Sequence, residues 1–268
     1  MPYLTTKKEI TWYYEVCGQG SPLLFLHGWG ASSMVFVQQV EYFSQKYKVI
    51  LVDLPGHGKT TWKPISFNDI ADDMDCLLRE MNVSPVSLVG SSMGGAVGLR
   101  FYERFPQRVE RLIMVGSLPR FCRNPDIPLG LDRAQFEKLK GQLEHKYPSI
   151  LDIFFRSLFT MEERENPKFQ WIHQFRKQEN IPRKEALIYF LDMLGKEDFL
   201  AMLKDIKIPL QFIAGDHDYI CPPDSIAFLK EMLPQARFNT IEKSGHFPFL
   251  IKSAEFNRTV EQFLLEKI

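Results

Sequence analysis

One pentapeptide, Gly90-Ser91-Ser92-Met93-Gly94, joins an apolar run to a helix-patterned one. Val86-Ser87-Leu88-Val89 reads as a buried strand, and Gly94 to Tyr102 as a helix stopped by Pro106. A G-x-S-x-G between a strand and a helix forms a sharp elbow that lifts the serine hydroxyl off the sheet. Side chains two positions either side of the serine would collide with backbone, so glycine is required there. The hydroxyl then sits at a helix N-terminus, where the dipole favours developing negative charge. Chance supplies such a pentapeptide in roughly one chain of this length in ten. Its strand-to-helix setting therefore carries the weight.

The surrounding pattern predicts an α/β fold. Leu23 to His27 and Val49 to Val52 are short apolar runs, hence buried strands, with helix-like spacing over Met34 to Tyr47 between them. Ile10 to Val16 alternates as an edge strand. Phe67 to Met81 is a helix with Ser66 as N-cap. Its carboxylates Asp69, Asp72, Asp73 and Asp75 are expected on a solvated face that complements the dipole rather than around a metal. Arg111 to Gly116, Pro209 to Ala214 and Phe238 to Ile241 are further strands. Ser225 to Met232 and Ala254 to Lys267 are the terminal helices. Strands alternating with helices imply a mostly parallel sheet covered on both faces. Residues 117–199 break the alternation with helix-patterned, Phe- and Lys/Arg-rich sequence. They are expected to form a helical lid (cap) over a core made of residues 1–116 and 200–268.

Composition excludes several functions. Lys plus Arg and Asp plus Glu are both 33, so the 268-residue chain has no basic excess for general nucleic-acid binding. No apolar run approaches the ~20 residues of a membrane span. The N-terminal stretch has no apolar signal-peptide core. Cys17, Cys76, Cys122 and Cys221 are scattered without a C-x-x-C pair, which predicts reduced thiols and a cytoplasmic protein.

A serine hydroxyl needs a base, and the base needs an orienting group. Three of the six histidines directly follow strands or strand-end turns: His27, His57 and His246. His145 and His173 fall in the helical segment and read as surface or lid residues. Asp216 and Asp218 are both candidate acids, on the loop Gly215-Asp216-His217-Asp218-Tyr219-Ile220-Cys221-Pro222. That loop resembles the G-x-x-D-x-hydrophobic-x-P stretch of the α/β-hydrolase family. The resemblance selects Asp218 as the acid and leaves Asp216 as a turn residue. The family order of serine, acid, histidine selects His246. It also implies an oxyanion hole from the Met93 and Trp29 amides, the latter in Leu26-His27-Gly28-Trp29-Gly30. Neither metal nor cofactor is implied. Serine at the elbow argues against the dehalogenase and epoxide-hydrolase branches, which carry Asp there.

Within the family, the chain resembles pimeloyl-(acyl-carrier protein) methyl ester esterases of biotin synthesis. The resemblance rests on Leu26-His27-Gly28-Trp29-Gly30, Val52-Asp53-Leu54-Pro55-Gly56-His57-Gly58, the elbow, and Phe247-Pro248-Phe249-Leu250-Ile251. Phe155-Arg156-Ser157-Leu158-Phe159-Thr160-Met161 resembles the lid segment. It implies a serine carboxylesterase that forms an acyl-enzyme, with Trp29, Met93 and Phe155 binding substrate and an acyl-carrier protein as partner. Such esterases are expected to hold the carrier through lid arginines just before the Phe, yet Ser149 to Phe154 contains none. Arg156, Arg164, Lys168, Arg176, Lys177, Arg183 and Lys184 offer a different basic surface. Hydrolysis of other small esters, lactones or ring-cleavage C–C bonds, or a non-catalytic receptor on the same fold, are the alternatives. Acyl chain and alcohol stay open.

Overall fold

A computed structural model describes residues 2–124, 127–176 and 180–266. The strands are β1 (Tyr3–Thr5), β2 (Thr11–Cys17), β3 (Ser21–Leu26), β4 (Tyr47–Val52), β5 (Val86–Ser91), β6 (Val109–Val115), β7 (Leu210–Gly215) and β8 (Arg237–Ile241). They form one sheet in the order β1-β2-β4-β3-β5-β6-β7-β8. β1 and β2 are antiparallel additions at one edge, and the pairings from β4 to β8 are parallel. Leu23 to Leu26, Val49 to Val52 and all of β5 are buried. Strands covered on both faces carry continuous apolar runs. β3 pairs with β4 on one side and β5 on the other, so the sheet changes its direction of growth there. Crevices at such reversals, beyond the carboxyl ends of the strands, are where α/β sheets place their sites.

The helices α1 (Val37–Phe43), α2 (Phe67–Glu80) and α3 (Met93–Arg104) belong to the first half of the chain, and α9 (Pro223–Met232), α10 (Pro248–Ile251) and α11 (Ser253–Leu264) to the last quarter. α2 packs on α3, while α1 packs on α10 and α11. Between β6 and β7 lie α4 (Arg133–Lys146), α5 (Ser149–Ser157), α6 (Met161–Glu165), α7 (Pro167–Arg176) and α8 (Lys184–Leu194). Among the described residues this insertion adds no strand to the sheet. No described helix is long and apolar enough to cross a membrane.

Several expectations are corrected. The sheet edge is β1, a three-residue strand too short to show alternation, and β2 lies one place inside it. The helix pattern over Met34 to Tyr47 resolves into a 3₁₀ turn at Ser33–Phe36, the helix α1, and Tyr47 already pairing as the first residue of β4. Lys267, expected within the last helix, lies outside the described residues. Ser66 does cap α2, in a reciprocal box with Asp69. The α2 carboxylates form a solvated face only in part, with Asp69 and Asp72 half-exposed. Asp73 is buried and accepts from Thr6 Oγ1 and Trp12 Nε1, at 2.8 and 2.9 Å. Asp75 is buried between Arg79 and Arg108, Asp72 meets Arg104, and Asp69 meets Lys8. Arg79 lies on α2 itself, four residues from Asp75, but the other partners arrive from β2, α3, the 3₁₀ turn Pro106–Arg108 and the N-terminal arm, positions that helical periodicity does not encode.

Candidate active site

Ser92 follows β5 with φ 52° and ψ −118°, a conformation that costs a non-glycine residue about 1–3 kcal/mol. Backbone bonds hold it there. Ser92 N–H donates to Val115 O at 2.9 Å, and Ser92 O accepts from Gly95 N–H at 2.9 Å and Ser117 Oγ at 2.7 Å. A Cβ on Gly90 would lie 2.6 Å from Gly94 O, and one on Gly94 would lie 2.2 Å from Leu26 O. Both elbow glycines are thus required by close backbone approach, as the spacing predicts. Ser92 is 9 % exposed, and Met93 opens α3 directly after it.

Asp218 and His246 come together from the ends of β7 and β8. His246 Nδ1–H donates to Asp218 Oδ2 at 2.8 Å, with both residues buried. The other carboxylate oxygen, Oδ1, accepts from Ile220 N–H at 2.8 Å and Cys221 N–H at 3.0 Å. A proton on Nδ1 leaves Nε2 as the basic nitrogen. Gly116 connects this pair to Ser92. It follows Val115, the acceptor of the Ser92 amide, and a Cβ on it would lie 3.1 Å from His246 Nδ1. The end of β6 therefore abuts both the serine backbone and the histidine ring.

Asp216 sits in the turn as expected, and it also ties the two loops together by accepting from Ser244 N–H at 3.0 Å and from His217 Nδ1 at 2.7 Å. Asp218, His246 and Cys221 offer three potential ligand atoms within 4.8 Å of one another. The donor set does not suit a metal. Burial, then the Asp218 charge, push the Cys221 thiol well above its usual range, so it stays protonated. Both Asp218 oxygens already accept hydrogen bonds.

The Trp29 loop crosses the other side of Ser92. A Cβ on Gly28 would stand 3.1 Å from Ser92 Cβ. The Trp29 indole N–H donates to Leu187 O in α8 at 2.9 Å, and its ring meets Phe154 edge-on. His27 and His57 brace this loop, a function that sequence reading left unassigned. His27 Nδ1–H donates to Gly28 O at 2.8 Å while its Nε2 accepts from Leu54 N–H at 2.9 Å. His57 Nδ1–H donates to Pro55 O at 3.0 Å while its Nε2 accepts from Gly30 N–H at 3.2 Å. Burial lowers His27 to about 4, and burial followed by the neighbouring His27 lowers His57 to about 3. Both rings are neutral around pH 7, which lets each accept from one amide and donate to one carbonyl. The only sequence signal is a histidine beside glycine after each of two adjacent strands.

The insertion packs against the loops that carry Trp29 and His246. Phe155 is buried with Phe159, Phe169 and Phe247, and the Arg176 guanidinium lies over its ring. His173 is buried and bonded to Asp152 at 2.5 Å, inside the insertion rather than on its surface. A cavity of about 620 Å³, lined by Gly30, Leu151, Asp152, Ile153, Arg176 and Ile181 among others, opens one residue from Trp29. Several of the basic residues make local contacts. Arg164 donates to Phe159 O, Lys168 to Ser253 Oγ, Arg176 to Gly30 O and Lys184 to Glu144 O, while Arg156 lies over Phe169. Arg183 is exposed, and Lys177 lies outside the described residues.

A family model described as alpha/beta hydrolase fold matches residues 21–253. The chain belongs to the α/β-hydrolase family. It is 30% identical, over 91% of its length and 96% of the relative's, to a Nitrosomonas europaea protein named pimeloyl-(acyl-carrier protein) methyl ester esterase. It is 32% identical, over 92% of its length and 96% of the relative's, to a protein of the same name from Legionella pneumophila. Among solved structures, an esterase from Exiguobacterium antarcticum superposes with a TM-score of 0.89. That structure is 25% identical and covers 98% of this chain and 99% of its own.

Proposed function

We propose that this hydrolase is a serine carboxylesterase whose substrate is the methyl ester of a carrier-bound dicarboxylic acyl chain, pimeloyl-(acyl-carrier protein) methyl ester, in the cytoplasm. The observation that carries the chemistry is the buried Asp218–His246 bond beside a serine held proud at a strained elbow. Ser92 Oγ attacks the ester carbonyl while His246 Nε2 takes its proton. The Trp29 and Met93 amides receive the oxyanion. His246 returns the proton to the leaving alcohol, and a water activated by the same ring then releases the acid and frees Ser92. Asp218 holds the tautomer and stabilises the imidazolium.

The substrate reading rests on the 30–32% identical relatives, which bear that name. Four free cysteines fit a reducing compartment. The insertion, residues 117–199, acts as the lid, with Trp29, Met93 and Phe155 at the acyl group. The cavity beside Gly30 is the approach for the chain. Expression in a biotin auxotroph lacking this esterase tests the role, and restored growth is the expected outcome. The arginine-free stretch Ser149 to Phe154 supports a second reading, a small free ester. Turnover of p-nitrophenyl esters without complementation would decide for it.

A further inference from the structure

Glu163 lies in the insertion, on α6, yet is 2 % exposed. Its carboxylate faces the loop that carries His246. Oε1 accepts from Ser244 Oγ at 2.9 Å, and Oε2 accepts from Gly245 N–H at 2.9 Å. Oε2 also accepts from Thr160 N–H at 2.9 Å, while Thr160 Oγ1 accepts from Glu163 N–H at 3.0 Å. This reciprocal box fixes the carboxylate on its own helix. Five residues upstream of Glu163 the same segment meets the histidine directly, with His246 N–H donating to Leu158 O at 2.8 Å. Ser244, Gly245 and His246 are thus each bonded to the stretch Leu158 to Glu163. A Cβ on Gly245 would lie 2.3 Å from Leu158 O, so glycine permits the approach.

We propose that Glu163 is a positioning residue for His246, acting from the insertion through Ser244 and Gly245. The inference rests on His246 being the general base. Asp218 fixes the ring through Nδ1 but leaves the backbone of the 244–246 loop to be set by other contacts. From the core, Asp216 accepts the Ser244 amide. From the insertion, Glu163 takes the Ser244 hydroxyl and the Gly245 amide. Buried donors left without an acceptor would pull the loop toward other partners. A misplacement near 1 Å costs on the order of 10²-fold in rate. The stretch 158–163 is therefore a fixed wall of the site, and any opening of the insertion has to occur elsewhere in it.

Steady-state hydrolysis of p-nitrophenyl acetate, with thermal melts to show folding, tests this. For Glu163→Ala, kcat falls on the order of 10- to 100-fold with KM little changed. Glu163→Gln keeps an acceptor for the amides and a donor for Ser244 Oγ, and restores kcat to within about threefold of wild type. A folded Glu163→Ala with wild-type kcat would overturn the inference, as would a Gln variant no better than Ala. Should Glu163→Ala not fold, Ser244→Ala decides: a lower kcat at unchanged KM supports the inference and a wild-type kcat overturns it. Wild type that neither turns over ester nor labels with a fluorophosphonate would overturn the serine-esterase reading itself, and this inference with it.

Discussion

In the proposed mechanism Ser92 is the point on which the chemistry converges, and its neighbours divide into reacting and supporting groups. Ser92→Ala is expected to lower kcat by roughly 10⁴-fold or more while leaving the melting temperature nearly unchanged. Asp218→Asn should cost about 10⁴-fold, because an amide in its place favours the wrong histidine tautomer. Asp216→Asn should cost far less, since an amide oxygen still accepts from Ser244 N–H. Parallel kinetics on the two variants check both statements, and a larger loss for Asp216→Asn would reverse the choice of acid. Ser92 and both elbow glycines were legible in the sequence because the turn's sterics are local. Glu163 was not, because nothing in Thr160-Met161-Glu162-Glu163 distinguishes an exposed helical glutamate from one buried against a loop 81 residues away.

The elements that carry the site are braced by neutral histidines between the loops after β3 and β4. An unfolded chain binds a proton on each near its ordinary value of 6.5, whereas the folded protein resists until about 4 for His27 and about 3 for His57. Folded pKa values below the unfolded ones mean that the unfolded state binds more protons in this window. Stability is therefore retained above pH 6.5 and lost as pH falls from 6.5 toward 4, by up to about 1.4 kcal/mol per pH unit for each ring. Denaturant melts across pH 4–7 should show this slope, and His57→Gln should flatten it. At the elbow, Gly94→Ala would press a methyl against the Leu26 carbonyl and force α3 off the end of β3. A loss of about 1–3 kcal/mol or more is expected in urea unfolding. Strand and helix identity was readable from periodicity for the buried elements. β1 escaped because three residues carry no period, and the burial of Asp73 and Asp75 escaped because Thr6, Trp12 and Arg108 come from other elements.

Across the whole molecule, core and insertion share one set of contacts. Phe190 of α8 is fully buried against Phe67 of α2, Trp62 and His57. Arg183 N–H donates to Gly56 O at 2.9 Å, and Trp29 is bonded to α8. Core and insertion are accordingly expected to unfold in a single transition, with calorimetric and van't Hoff enthalpies equal. Phe190→Ala should lower stability by about 3–5 kcal/mol and loosen the Trp29 loop with it. Two separated calorimetric peaks would show instead that the insertion folds on its own.

The amino-acid sequence alone determined the α/β alternation and the elbow, because each is written in short-range terms, strand runs and glycine sterics; it narrowed acid and base to a few loop residues, and the family resemblance chose Asp218 and His246 among them. The tertiary structure decided what lies over them. The pairing of Asp218 with His246, the histidine braces beneath Trp29 and the Glu163 contact to the His246 loop all join residues distant in the chain. Their energy comes from burial and hydrogen-bond satisfaction, which depend on what packs alongside and not on the residues that come before or after.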